Sequence, residues 1–394
     1  MPVNIVFFSI PAWGHTNPTV GVVRELAARG HTVRYYSFAP FREKLEEAGA
    51  QVVLCDDFLP PAPADLDARM GKDFACLIEM VTDTTLTLDE KVMAELADFL
   101  PDIIVSDSVC FWGKLFAKKL GVPYVCSTTT FAFNRYTAKR MQPRGKELWY
   151  FLTGMPRIGR CMKRLRQQGY EVENFLSLIQ NDNETDTIVY TASAFQPMAE
   201  TFSDRYAFVG PSLRESPTGE EAPKSRPLIY VSLGTVLFHQ PDFFRRCAQA
   251  LGDMDADVIL STGRETPLAD LPANFTAFSR VDQLAVLRRA DVFVTHCGMN
   301  SANEAIWFGV PTVLVPQQSE EGAVADRMAE LGLGLRPEGD TPHSLRTAVE
   351  AALKDPAYRE NTRRLSAEFH RCGGAKAAAD KIERAGNDTI ACRS

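Results

Sequence analysis

Ala290-Asp-Val-Phe-Val-Thr-His-Cys-Gly-Met-Asn-Ser-Ala-Asn-Glu304 decides the fold. Val292–Thr295 is a short apolar, β-branched run that reads as a buried strand. His296-Cys297-Gly298 is the turn after it, and a helix opens at Asn300 and Ser301. Strand, short turn and helix in that order form one half of a βαβ unit, which belongs in a parallel sheet. The same pattern recurs on both sides. Leu228–Ser232 is an apolar strand ending in Gly234-Thr235, and Val258–Ser261 and Pro311–Val315 are further strands with helical segments.

The N-terminal half repeats the architecture without repeating the sequence. Val3–Ile10 is an apolar run closed by a turn with Pro11 and Gly14. A helical face of Val20, Val23, Leu26 and Ala27 follows, Gly30 stops it, and His31–Ser37 is a second strand. Ile103–Ser106 and Val122–Ser127 flank a helical Trp112–Leu120, and Ile188–Thr191 and Ala207–Val209 follow. Arg214–Arg226 is charged, carries proline and glycine, and has almost nothing to bury, so it reads as a linker. The expected division is residues 1–213, a linker 214–226, residues 227–356, and a helical tail 357–394. Two alternating βα blocks imply two doubly wound α/β domains, with ligands at strand carboxyl ends and in the cleft between domains.

Composition narrows the function. At 394 residues the chain is long enough for two cores. With 45% hydrophobic and 24% charged residues, wholesale disorder is excluded. A net charge of -7 argues against a partner bound through a broad cationic surface, such as nucleic acid. No apolar run approaches the ~20 residues needed to span a bilayer, and the start lacks a signal-peptide pattern. The nine cysteines are odd in number, lack Cys-x-x-Cys spacing and often sit in apolar stretches. They read as buried thiols in a reducing compartment, and the expected location is cytoplasmic.

Two places carry chemistry. His15 follows the first strand in Pro11-Ala-Trp-Gly-His-Thr-Asn-Pro18, where Asn17 is positioned to cap a helix and Pro18 to begin it. The positive helix end disfavours imidazolium, so His15 should be a neutral base. A loop histidine bonded only to backbone is the alternative. Asp107 closes Ile103-Ile-Val-Ser-Asp107, either as the partner that fixes the His15 tautomer or as a helix N-cap. In the second block Gly298 permits close backbone approach, and the first turn at Asn300 and Ser301 offers N–H groups to an anion. His296 can add a donor to a phosphate, and Glu304 can accept ribose hydroxyls. Ser301-x-x-Glu304 also has capping-box spacing, which alone would explain both residues. Gly234 and Thr235 form a second small loop suited to a diphosphate, or an ordinary βα turn. Gly-x-Gly-x-x-Gly and Walker-type strings are absent from the sequence. Asp65-x-Asp67 and Asp253-x-Asp255-x-Asp257 lie in polar turns and read as solvated residues, not as a metal site.

These strings together resemble the family 1 UDP-sugar-dependent glycosyltransferases, in particular the bacterial macrolide and natural-product branch. The resemblance spans nearly the whole chain, from Ile10-Pro-Ala-Trp-Gly-His-Thr-Asn-Pro18 through Val281-Asp-Gln-Leu284 and residues 290–301 to Pro316-Gln-Gln-Ser-Glu-Glu321. It implies the GT-B fold, in which two Rossmann-like domains face a central cleft and the terminal helix crosses back. It also implies inverting displacement of UDP without a metal or bound cofactor. His15 would be the base and Asp107 its orienting acid. His296, Asn300 and Ser301 would hold the diphosphate, with Glu304 and Gln283 at the ribose and Val281 near the uracil. The expected reaction moves a hexose, glucose first among them, to a hydroxyl of a small hydrophobic acceptor such as a macrolide, flavonoid or other phenol. A sugar-nucleotide-binding auxiliary protein without turnover, and an enzyme acting on a lipid-type acceptor, are the other readings.

The chain departs from the family pattern in three places. Arg280 replaces an aromatic that stacks on uracil, though a guanidinium can also stack. Asp282 replaces a proline. Glu320-Glu321 replaces an acid-glutamine pair that holds sugar hydroxyls, and the same two acids would also suit a helix N-terminus. Separately, residues 134–170 carry ten Lys/Arg and one acid around Trp149-Tyr-Phe-Leu152. That segment is either a solvated helix face or a surface for an anionic, amphiphilic acceptor or a membrane.

Overall fold

The computed structural model describes residues 2–59, 73–134, 136–137, 146–175, 178, 181, 183–213, 224–234, 240–263 and 270–393. It contains two compact units. Met1–Ser212 together with Gly373–Ser394 form the first, and Leu213–Cys372 the second.

The first unit is built on a seven-stranded parallel sheet. Its strands are β1 (Asn4–Phe8), β2 (Thr32–Ser37), β3 (Gln51–Leu54), β4 (Ile103–Asp107), β5 (Tyr124–Thr128), β6 (Asp186–Val189) and β7 (Tyr206–Phe208), in the order β3-β2-β1-β4-β5-β6-β7. Helices cover both faces, so the central strands β1, β4 and β5 bury successive residues rather than alternate ones. Ile5 and Phe7 of β1 pack under the helices Trp13–Ala28 and Gly374–Arg393. Val6 and Phe8 point the other way, into a core shared with Phe74–Phe99, Phe111–Leu120 and Lys146–Gln167.

The second unit has a six-stranded parallel sheet of β8 (Leu228–Ser232), β9 (Asp257–Ser261), β10 (Phe275–Phe278), β11 (Val292–Thr295), β12 (Thr312–Leu314) and β13 (Gly334–Leu335), ordered β10-β9-β8-β11-β12-β13. Ile229, Val231, Val292 and Val294 face one core, and Tyr230 and Phe293 the other. Tyr230 and Phe293, partners across β8 and β11, stack with ring centroids 4.7 Å apart.

Both sheets reverse strand order once, between β1 and β4 and between β8 and β11. At such a switch point the two connections leave in opposite directions, and a crevice opens beyond the carboxyl ends of the strands. His15 lies in the first turn of the helix that follows β1, and Asp107 is the last residue of β4. The loops after β8 and β11 carry Gly234 and His296.

The structure corrects three expectations. The 357–394 tail is two helices, Pro356–Arg371 and Gly374–Arg393, broken at Cys372-Gly373. The first belongs to the second unit and only the last belongs to the first. Phe369 and Leu365 give the one its buried stripe, and Ala378, Ala379 and Ile382 the other. The end of the expected linker, Lys224 and Arg226, is ion-paired to Asp291 and Asp257 of the second unit, while 214–223 lie outside the described residues. Strands β3, β10 and β13 escape the sequence reading because each lies at or beside a sheet edge, and β10 exposes three of its four residues. Cys55, Cys76, Cys110, Cys126, Cys161, Cys247 and Cys297 are buried free thiols, as their apolar surroundings suggested.

Candidate functional site

His15 lies in the first turn of Trp13–Ala28, its backbone N–H donating to the Ala12 carbonyl. The helix therefore begins before the expected cap. Asn17 accepts from Lys44 Nζ at 2.6 Å, and Pro18 sits inside the helix. The imidazole Nδ1 is 2.7 Å from Asp107 Oδ2. A carboxylate only accepts, so Nδ1 carries the proton and Nε2 keeps its lone pair. Asp107 is held in turn. It is 2% exposed, and its Oδ1 accepts the Val109 N–H at 2.8 Å. It caps no helix side chain to backbone, since Phe111–Leu120 begins after Cys110. The dyad reading is the one the geometry carries.

Thr129, just past β5, was not singled out by sequence. Its hydroxyl lies 3.1 Å from the same Nδ1 and is buried. Two acceptors now share one N–H and pin the ring from two directions. Thr129→Val should lower kcat three- to tenfold and Thr129→Ser should restore it, with donor KM unchanged in both. Steady-state kinetics decide this, and an unchanged kcat in the valine variant removes the role.

In the second unit the loop after β11 is strained. Cys297 has φ 68, a left-handed conformation rare outside glycine, and its N–H bonds back to Thr295 Oγ1 at 3.1 Å. Met299–Trp307 starts at Gly298 without a side-chain cap, so Ser301 and Glu304 form no capping box. Their side chains instead meet Gln283. Gln283 Nε2 donates to Ser301 Oγ at 3.2 Å and to Glu304 Oε2 at 2.5 Å. Asn300 lies in the same first turn, and the N–H groups of a helix's first turn are the kind that can meet an anion.

The His296 ring is wedged between two glycines. A Cβ at Gly234 would lie 2.6 Å from its Nε2, and one at Gly298 2.5 Å away. Gly234 also has φ 77, a second reason for glycine there. Among the described residues the buried His296 Nδ1 has no hydrogen-bond partner. Burial pushes the imidazole down to about 4, against a smaller opposing bond to the Ser232 backbone, so the ring is neutral at physiological pH. A neutral imidazole can offer a hydrogen bond but brings no positive charge.

Other expected residues are placed as follows. Arg280 is exposed beyond β10, Val281 is half-buried, and Asp282 caps Gln283–Arg289 by accepting the Ala285 N–H. Thr235 lies outside the described residues, as do Asp65 and Asp67. Glu320 is exposed. Glu321 Oε2 closes a capping box, accepting from the N–H groups of Gln317 and Gln318, while Oε1 is 4.0 Å from His296 Nε2. Burial pushes the Glu321 carboxyl up. Asp253 pairs with Arg346, and Asp255 and Asp257 with Arg226, as surface ion pairs. In the basic segment Arg157 pairs with Asp73 and Glu79, Arg164 with Asp83, and Arg166 with the Val172 and Glu173 carbonyls. Arg135, Lys139, Arg140 and Arg144 lie outside the described residues. Among the described residues no helix is long and apolar enough to cross a membrane.

The first unit thus carries a histidine–aspartate dyad at its switch point, and the second a histidine wedged between glycines where a helix begins at its own. Residues 245–375 match the C-terminal domain of the erythromycin biosynthesis protein CIII-like family. The chain is 34% identical over 388 residues to the NDP-glycosyltransferase YjiC of Bacillus subtilis, covering 96% of each. It is 33% identical over 401 residues to the demethyllactenocin mycarosyltransferase of Streptomyces fradiae, covering 96% of this chain and 86% of that protein. Among solved structures, the glycotransferase of kitacinnamycin superposes with a TM-score of 0.84 at 29% identity, covering 98% of this chain and 99% of that one. The calicheamicin glycosyltransferase CalG4 superposes at 0.81 and 31%, covering 99% of both. The chain belongs to the family of NDP- and UDP-sugar glycosyltransferases of bacterial natural-product pathways and has their GT-B fold.

Proposed function

We propose that this protein is an inverting glycosyltransferase that moves a hexose, glucose first among candidates, from a UDP-sugar to a hydroxyl of a small hydrophobic natural product, a macrolide or a phenol. The observation that carries the reading is the 2.7 Å bond between His15 Nδ1 and Asp107 Oδ2, which leaves Nε2 as the base. The acceptor O–H proton passes to Nε2 as its oxygen attacks the anomeric carbon. The bond from that carbon to the diphosphate oxygen breaks, and UDP leaves with the electron pair. Asp107 stabilises the imidazolium that forms.

The leaving diphosphate gathers charge in the transition state. N–H groups at the start of Met299–Trp307, with Ser301 and His296, meet that charge without a metal. Glu304 and Gln283 take the ribose, Val281 and Arg280 the base, and Glu320 and Glu321 the sugar. An intact dyad favours turnover over a purely auxiliary role.

The test is UDP release from several UDP-sugars against a panel of phenols, macrolides and sterols, with product masses recorded. Acceptor-dependent UDP release with a hexose mass added supports the reading. Release without acceptor dependence, or an isomerised donor, overturns it. EDTA at millimolar concentration should change kcat by less than twofold. A loss that magnesium or manganese restores would replace the metal-free account.

A further inference from the structure

Tyr230 lies in the middle of β8, 1% exposed, with its ring stacked on Phe293. Packing alone would be served by phenylalanine. A buried phenol instead requires a partner for its hydroxyl. Tyr230 Oη donates to Gln283 Oε1 at 2.9 Å. Burial pushes this phenol up, so it keeps its proton. The donation has a directional consequence. A carboxamide bonded at its oxygen must present its nitrogen on the other side. That nitrogen is the atom that reaches Ser301 Oγ and Glu304 Oε2.

We infer that Tyr230 is a positioning residue for the nucleotide, acting through the Gln283 amide to fix the carboxylate of Glu304 for the ribose hydroxyls. The inference rests on the reading that Gln283 and Glu304 meet a nucleoside diphosphate. Without the phenol the amide oxygen loses its donor, and only the bonds of the nitrogen to Ser301 and Glu304 oppose a flip about the last torsion. With its oxygen towards Glu304 it would repel the carboxylate it now holds. The two states differ in whether Glu304 is held or pushed, not in whether the core is packed.

The experiment compares Tyr230→Phe with the unmodified protein by calorimetric titration with UDP and with 2′,3′-dideoxyuridine diphosphate. The expected result is a five- to twentyfold weaker Kd for UDP in the variant, equal affinity of both proteins for the dideoxy nucleotide, and a donor KM raised while acceptor KM holds. Equal UDP affinity, or equal loss for both nucleotides, overturns the inference. Failure of the unmodified protein to bind UDP overturns the underlying reading as well. Should the variant melt early, Gln283→Leu and the double variant Y230F/Q283L carry the test at low temperature. Removing the phenol must then cost no further UDP affinity once the amide is gone, and a further loss overturns the relay.

Discussion

His15→Ala should lower kcat by about a thousandfold while leaving the Kd for UDP within twofold. The size follows from what a positioned base contributes, about 10²–10⁴ in rate. The selectivity follows from the address. His15 stands beyond β1 of the first unit, and the proposed diphosphate contacts belong to the second. Ring and carboxylate are one device. Asp107 fixes the tautomer and stabilises the charge that develops, so Asp107→Asn should cost about as much as His15→Ala, roughly a thousandfold. An amide at that position can offer N–H to Nδ1 and turn the proton onto Nε2, where no base then remains. The double variant should be little worse than His15→Ala alone, since residues that act as a unit are non-additive. Single-turnover measurements with saturating donor separate this from a binding defect. A kcat within tenfold of the unmodified protein in His15→Ala would remove the dyad from the mechanism.

The fold was legible where the sheet is buried on both faces. Leu228–Ser232 and Val292–Thr295 stand in the structure at the bounds their apolar runs suggest, because central parallel strands have no solvent face to break the run. Edge strands mix exposed and apolar residues, and β10 therefore carries no such signal. The two chemical loops were legible for a different reason. A histidine after one strand and an acid at the end of another are informative once the strand order is known, since both strands then border the reversal. Individual partners were not legible. Nothing local marks Thr129 or Tyr230, whose hydroxyls find His15 and Gln283 across 114 and 53 residues. Spacing also misled at Ser301-x-x-Glu304 and at Asn17-Pro18, where capping patterns coincide with residues used otherwise. In both, the helix begins two or more residues earlier than the pattern implies. A capping motif states what a side chain can satisfy locally, while the tertiary partner decides what it does satisfy.

Gly298→Ala should raise the donor KM ten- to a hundredfold with acceptor KM unchanged. A methyl at this position would stand 2.5 Å from His296 Nε2 and 3.2 Å from Cε1. The backbone is not the obstacle, since Gly298 has φ -59, which any residue adopts. The ring is the obstacle, and Gly234 closes its other side. An imidazole already wedged there can relieve the clash only by leaving the slot. The neutral imidazole's hydrogen bond to the charged diphosphate is then lost, worth about 1.5–3 kcal/mol. At 1.4 kcal/mol per factor of ten, that is the stated range. Overpacking should also cost about 1–3 kcal/mol of stability. His296→Ala removes the same donor without the crowding, so it should match the KM change and keep the melting temperature. The decisive comparison is Gly298→Ala introduced into His296→Ala. With the ring gone, the methyl has nothing to displace, and both donor KM and melting temperature should hold at the His296→Ala values. A further tenfold loss in that background would mean that Gly298 meets the donor through its own backbone, and that the imidazole is a bystander.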